Sequence, residues 1–530
     1  MRRAVLLPLL LAFAAGAADV CAPGDALDKY QYLRRLSLDL RGRVPTVEEY
    51  EALDTEGDVP RLLIQTWLAT DDFRLAMRRY HEAMLWPNLS NLRINDQGAN
   101  LGAAATAAGE PIYYTPGFRA AIRRGGDVPC GDFEQTHFDP AHPGELRPDP
   151  AFVRTVDVNG VTVRQEGYRT ISPYWDPTTK AKACAYDLQE TAQALHPNGR
   201  TVSCSSREAD ALPECGCGRG LRYCYGPAPA VIPRVLASFR EQLGRHVDDV
   251  SVGGRPYTDL VLSTDAWENG PLGFWKKNLS PHYSLQRLFA MPDPGEELPE
   301  RDFTDATFVK VHRTPLHAGV LTLPGYLLRF QTARGRANRF RINFLCNYFV
   351  PPAHLETSSS GQCSDTAEDI TQRCNCRYCH SELEPLAAHW GLFAIAGTTQ
   401  MTDPVLFPKS NAACLGATDP FCARFYVTRS DAHGAASFLP YQFADVHPEL
   451  VLNLEGGPRL VARKAVDSGE FARCATQKVW MLFNNAAMYG DDAGITPALD
   501  SIAAEFAGEG YSLQRLALRI VTDPAYRKAR

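Results

Sequence analysis

Residues 33–49, LRRLSLDLRGRVPTVEE, contain the end of one predicted helix and the start of the next. Four leucines lie in residues 33–40, and the helical pattern ends at Arg43-Val44-Pro45, because a residue before proline disfavours the helical conformation. Thr46 and Glu49 then fit a capping box, with Thr46 as N-cap and Glu49 at position N3. The stretch therefore predicts two consecutive helices and a helical N-terminal module.

Outward from this stretch, helical spacing of apolar residues covers most of the chain. The predicted helical segments are residues 27–86, 232–292, 316–350, 364–380, 466–489 and 495–526. Residues 87–235 and about 395–465 are instead rich in loop-forming residues. We expect a mainly α, multi-domain helical scaffold that carries a loop-rich insertion.

One β-hairpin is predicted inside that insertion. Valines alternate with polar residues over residues 155–163, on both sides of Asn159-Gly160. An Asn-Gly pair between alternating strands favours a two-residue type I′ turn.

The composition limits the classes of function. The chain has 530 residues, 45% hydrophobic and 22% charged, which is ordinary for a soluble globular protein of two to four domains. Its 55 Lys and Arg against 61 Asp and Glu give a net charge of -6. A mildly acidic chain lacks the positive field that holds nucleic acid, so we expect no nucleic-acid partner.

The N-terminus has the pattern of a secretory signal peptide. Met1-Arg2-Arg3 is followed by an apolar run to Ala14 and by the small residues Ala15-Gly16-Ala17-Ala18. A membrane anchor is the alternative, but the apolar run is short for a bilayer span. We expect signal removal after residue 18, no later membrane span, and a periplasmic or secreted protein.

Fifteen cysteines in an exported chain predict disulfide bonds. Cys215, Cys217 and Cys224 lie in a glycine-rich stretch, and Cys414 and Cys422 in another loop region, so we interpret both groups as loop staples. A zinc site is the alternative for the first group, although an oxidising compartment disfavours free thiolates. The odd total implies that at least one cysteine has another role or stays unpaired.

Residues 376–380 carry the one motif with a specific chemistry. Cys376, Cys379 and His380 form C-x-x-C-H, the attachment signature of c-type haem. Two cysteines three apart present both sulfurs to the two vinyl groups of one porphyrin, and the next residue is the proximal histidine ligand of the iron. The motif predicts one covalent haem c.

Two other interpretations of this motif stay open. Cys374, Cys376 and Cys379 could be disulfide partners, with His380 incidental. The same residues could bind zinc, although export disfavours it. Cys374 is surplus to haem attachment, and Cys363 is a candidate partner for it.

The ligand on the other face of the iron is less constrained. Met401 lies in a Gly/Thr-containing stretch that can fold back over a haem, and we predict it as the sixth ligand. His389, Met481, Met488 and an open position are the alternatives.

Around this motif the chain resembles the large exported planctomycete cytochrome c-type proteins, which also occur in myxobacteria. In that family a single C-x-x-C-H motif lies between helical modules of unknown function. The resemblance implies haem and export, but no established reaction. The similar stretches are residues 33–46, 255–260 with 269–272, 318–346 with 351–352, 379–386, 471–474 and 520–527.

Together these patterns predict six segments and a function. The segments are a signal peptide at 1–18, a helical module at 19–86, a Cys-rich insertion with a β-hairpin at 87–235, a helical module at 236–350, a cytochrome c-like haem-binding segment at 351–410 and a C-terminal helical module at 411–530. We expect electron transfer to an unidentified redox partner protein, alone or as part of a larger exported system. A haem-free disulfide-rich scaffold and an enzyme acting on an exported polymer are the alternatives, but no catalytic constellation is evident.

A basic cluster on the helix before the motif has two interpretations. Arg334, Arg336, Arg339 and Arg341 lie within eight residues. They form either a solvated helix face or a group that pairs with haem propionates.

Overall fold

The structure is a computed structural model that describes the greater part of the chain. The described residues are 26–85, 92–95, 99–106, 109–197, 199, 201–205, 207–282, 301–349, 363–364, 370–393, 397–398, 448–484 and 496–528. Helices predominate over strands in these residues, so the mainly α prediction is confirmed at that level. The helices are α1 Lys29–Arg41, α2 Val47–Glu56, α3 Arg61–Leu68, α4 Asp71–Leu85, α5 Phe118–Arg124, α6 Ala228–Ser251, α7 Asp259–Leu262, α8 Gly270–Phe274, α9 Pro324–Arg329, α10 Ala333–Phe344, α11 Arg377–Ala387, α12 Pro448–Asp467, α13 Glu470–Asn484, α14 Thr496–Gly508 and α15 Leu513–Val521.

The strands form small sheets. Four of them make a mixed sheet in the order β1-β2-β6-β5, in which only the β2–β6 pair is parallel, and three antiparallel pairs complete the set, β3 with β4, β7 with β8 and β9 with β10. The strands are β1 Gly102–Ala105, β2 Pro111–Tyr114, β3 Arg154–Val158, β4 Val161–Gln165, β5 Tyr168–Ile171, β6 Ala181–Cys184, β7 Gln193–Leu195, β8 Thr201–Ser203, β9 Asp265–Glu268 and β10 Val309–His312.

The chain divides into two compact units. The first comprises residues 1–76, 477–491 and 514–530, and the second comprises 77–476 and 492–513. None of the helices in the described part is long and apolar enough to cross a membrane.

Within the first unit, the predicted capping box forms. The Glu49 backbone N–H donates to Thr46 Oγ1 at 3.3 Å, and the Thr46 N–H donates to Glu49 Oε2 at 2.9 Å. The preceding helix ends two residues earlier than the proline signal indicates, because Gly42 adopts a left-handed conformation at φ 67°. The same unit is tied together by the Tyr32 hydroxyl, which donates to the Val521 carbonyl at 2.9 Å.

The core of the second unit is built around α6. Val231, Val235 and Phe239 are buried and recur every four residues, so they share one face of this helix. That face packs with Trp275 and Tyr225, both of which are fully buried. The predicted helical pattern of this region thus corresponds to a genuine core helix.

The insertion contains the predicted hairpin and is cross-linked as expected. Strands β3 and β4 pair in register across Asn159 and Gly160, whose φ angles of 55° and 82° are those of a type I′ turn. Three disulfides lie in this region. The zinc interpretation of Cys215, Cys217 and Cys224 is wrong, because each of these sulfurs is bonded to another sulfur. The pairs are Cys130–Cys184, Cys204–Cys215 and Cys217–Cys224.

Buried charges hold the short helix α5 in place. Arg124 Nη2 lies 2.5 Å from Glu166 Oε1 and 3.0 Å from Asp187 Oδ2, and these three side chains have no exposed surface. Burial raises the pKa of Glu166. Burial acts in the same direction on Asp187, but the charges of Arg124 and Arg123 outweigh it and lower the pKa of that carboxyl. The network supports a compact core in a segment that has few long elements.

Two of the predicted helical stretches are only partly helical. The predicted helical stretch 232–292 contains strand β9, which pairs with β10, because residues 265–268 alternate between half-buried and buried positions as a strand does. Of the helix expected at 364–380, the described residues 370–380 are α-helical only from Arg377 onward. Asn375 has a left-handed φ of 63°, which a helix cannot include.

The C-terminal helices begin earlier than expected. Residues Pro448–Asp467 are helical although the sequence indicates a loop there, and the helix is broken at Gly457, where φ is 60°. Glycine adopts this conformation without the steric cost that other residues incur. The Gly456-Gly457-Pro458 sequence therefore marks a break between helical segments rather than a long loop.

Several sequence predictions fall on residues that the structure does not describe. These are the signal peptide at 1–18, the cysteines Cys21, Cys414 and Cys422, the proposed ligand Met401 and the alternative Met488.

Candidate functional site

The C-x-x-C-H motif lies at the beginning of α11. Cys376 is the N-cap residue, and Cys379 and His380 lie in the first turn. The His380 N–H donates to the Cys376 carbonyl at 3.0 Å, so the helical hydrogen bonds start within the motif. The preceding turn is fixed by a disulfide between Cys363 and Cys374, the pairing suggested for the surplus cysteine.

The two motif cysteines differ from every other described cysteine. Five disulfides use ten of the twelve cysteines in the described residues, and the remaining two are Cys376 and Cys379. Both thiols are partly exposed, so they are accessible to a reacting partner. The interpretation of Cys374, Cys376 and Cys379 as a group of disulfide partners therefore fails for the two motif cysteines.

The geometry also disfavours zinc at this position. In the described part of the chain, one group brings three possible metal-binding atoms within 4.8 Å of one another, and it consists of Cys130, Glu166 and Cys184. The two cysteines of that group form a disulfide, so they are not thiolate ligands. Cys376, Cys379 and His380 do not gather their ligand atoms in this way, as a tetrahedral zinc site requires.

His380 has a defined hydrogen-bond partner on its own helix. Its Nδ1 lies 2.5 Å from Oε1 of Glu384, one helical turn further along. The same Oε1 accepts a hydrogen bond from Arg334 Nε at 2.6 Å. Glu384 is nearly buried, with 8% of its side chain exposed, against 21% for His380.

Three of the four arginines of α10 make contacts that hold the surrounding structure together. Arg334 pairs with Glu384, and Arg341 Nη2 lies 2.6 Å from Glu382 Oε2, so two ion pairs join α10 to α11. Arg336 is fully buried and donates to backbone carbonyls that include those of Leu327 and Gly397. Its burial lowers its pKa to about 9. The solvated-face interpretation of this cluster is therefore wrong for Arg336 and Arg341.

His389, an alternative iron ligand, is instead part of the packed interior. It is 2% exposed, and its Nδ1 donates to the Gly457 carbonyl at 2.9 Å. Burial lowers the pKa of this imidazole to about 4. A histidine held in this way ties the turn after α11 to the break in α12.

Glu384 is a site residue that motif analysis did not single out. Its spacing of four from His380 is a local signal, because residues i and i+4 share a helix face. The contribution of Arg334 has no such signal, since 50 positions separate it from Glu384 in the sequence.

The residues at this site fit a covalently attached haem. Two accessible thiols stand at the required spacing, and the adjacent imidazole has its Nδ1 hydrogen-bonded to a carboxylate, an arrangement that is common for metal-binding histidines. Comparisons of the chain with models of protein families, with curated proteins and with solved structures find no match.

Proposed function

We propose that the protein is an exported c-type cytochrome-like electron carrier that binds one covalent haem through Cys376, Cys379 and His380. One observation carries the proposal: these two thiols alone stay outside the disulfides formed by all other described cysteines. In an exported chain rich in disulfides, cysteines that stay unpaired are expected where their thiols take part in another reaction.

Each residue has a defined task in this proposal. The thiols of Cys376 and Cys379 form thioether bonds to the two vinyl groups of the porphyrin, and His380 supplies its imidazole as the proximal ligand. A haem bound by these three residues would supply the exchange of single electrons. The partial exposure of both thiols and of His380 brings the site close to the surface, where a redox partner protein can approach.

Haem attachment is tested by pyridine haemochrome spectra and intact mass. The full chain is produced in a host that matures c-type cytochromes, and we expect a mass increase of one haem. Cys376→Ser with Cys379→Ser should abolish both signals. The control is Cys204→Ser with Cys215→Ser, which removes the same number of sulfurs from a disulfide in the insertion and should retain the haem.

A colourless parent protein from that host would refute the proposal and favour a haem-free, disulfide-rich scaffold. A mass increase of one haem that persists in the double serine variant would refute attachment through these two cysteines. Recovery in the periplasm or medium, with cleavage after residue 18, checks the proposed export separately.

The proposed sixth ligand is Met401, whose thioether raises the reduction potential relative to a second imidazole. The test is Met401→Ala in the purified ferric protein. We expect the parent to show a methionine-to-iron charge-transfer band at the red end of the spectrum and the variant to lose it. A band that is missing in the parent, or unchanged in the variant, contradicts this assignment.

A further inference from the structure

The hydrogen bond from His380 to Glu384 determines which ring nitrogen is available to a metal. Glu384 Oε1 faces two groups, Arg334 Nε at 2.6 Å and His380 Nδ1 at 2.5 Å. A guanidinium only donates hydrogen bonds, so Oε1 acts as an acceptor. The Nδ1 of His380 therefore carries its proton, and the lone pair of the imidazole is on Nε2.

Glu384 is held so that it cannot easily leave His380. Arg334 and Arg341 are seven positions apart on α10, about two helical turns, so they lie on one side of that helix. They pair with Glu384 and Glu382 on α11. These two ion pairs fix α11 against α10, and the low exposure of Glu384 keeps water from competing for its oxygen.

A carboxylate that accepts from Nδ1–H increases the electron density at Nε2. Hydrogen bonding of this kind raises the basicity of a ligating imidazole and fixes the orientation of its ring. A more basic axial ligand stabilises the ferric state more than the ferrous state, so it lowers the reduction potential.

We propose that Glu384, held by Arg334, is a positioning residue that fixes the Nδ1 proton of His380 and lowers the reduction potential of the iron bound there. This inference rests on the proposed haem attachment. It adds a determinant of the potential that the C-x-x-C-H motif does not contain.

The test is Glu384→Gln in the haem-loaded full chain. Glutamine keeps the size of the side chain and an accepting oxygen but removes the negative charge. The control is Glu382→Gln, which removes the same charge from the same helix at a side chain that is 63% exposed and paired with Arg341. The measurements are the midpoint potential and the iron–histidine stretching frequency of the ferrous protein, recorded after photolysis of its carbon monoxide complex.

We expect Glu384→Gln to raise the midpoint potential and lower the iron–histidine frequency, and Glu382→Gln to change both much less. Equal effects of the two variants would overturn the inference while leaving haem attachment intact. If the Glu384→Gln variant does not incorporate haem, the same measurements are made on the Arg334→Gln variant. That variant removes the donor that holds the carboxylate against His380 and should raise the midpoint potential, and an unchanged potential would then overturn the inference. If the parent protein contains no haem, the proposed function itself is refuted.

Discussion

His81 is predicted to make the second unit less stable in acid. Its ring is fully buried on α4, with Nδ1 2.7 Å from the Met77 carbonyl and Nε2 2.9 Å from the Tyr257 hydroxyl. A carbonyl only accepts, so Nδ1 donates to it and Nε2 accepts from the tyrosine. Protonation at Nε2 would break that second hydrogen bond and bury a charge. Burial accordingly lowers the pKa of His81 from 6.5 to about 4.

The direction and size of the effect follow from this shift. Since the pKa is lower in the folded protein than in the unfolded chain, the stabilisation is complete above pH 6.5 and decreases as the pH falls toward 4. The free energy of unfolding should lose about 2 kcal/mol at pH 5 and about 3 kcal/mol at pH 4 through this residue.

The perturbation is His81→Gln, which keeps a donor and an acceptor but does not titrate. Urea unfolding of the parent and the variant at pH 8 and pH 5 gives four free energies. From pH 8 to pH 5, the free energy of unfolding should decrease by about 2 kcal/mol less in the variant than in the parent. The contributions of all other titrating groups cancel in this comparison. Tyr257→Phe is the control, since it removes one hydrogen bond, worth about 1 kcal/mol, but leaves His81 buried and titratable, so most of the acid sensitivity should remain. If the free energy of unfolding decreases equally in the parent and in His81→Gln, His81 is not the source of the acid sensitivity.

Two further predictions concern stability. Replacing Cys346 and Cys474 by alanine opens a loop with a sequence separation of 128 residues. By loop entropy this should lower the free energy of unfolding by about 5 kcal/mol, and a loss below about 2 kcal/mol in urea titrations would contradict the estimate. Arg124→Met leaves two buried carboxylates without their main counter-charge. It should cost about 3–5 kcal/mol, seen as a lower thermal midpoint, and a midpoint equal to that of the parent would show that the network does not stabilise the fold.

Much of the local structure follows from the sequence. The capping box of Thr46 and Glu49 and the turn at Asn159-Gly160 form as predicted, because each depends on residues within about one turn of chain. The C-x-x-C-H spacing is equally local, and it singles out the two thiols that stay outside the disulfides. The start of α11 does not follow from the sequence, because the left-handed conformation of Asn375 overrides the helical pattern around it.

Cysteine pairing and burial of charge are decided by the tertiary structure. Cys346 pairs with Cys474 across 128 positions, and no local pattern specifies such a partner. The α10 sequence is rich in arginine and resembles an exposed helix, yet Arg336 is fully buried because backbone carbonyls satisfy its guanidinium. The surroundings of His380 show both the contribution of the sequence and that of the tertiary structure. Its contact with Glu384 is implied by a spacing of four residues, whereas the arginine that holds this carboxylate comes from another helix, because only packing brings distant segments of the chain together.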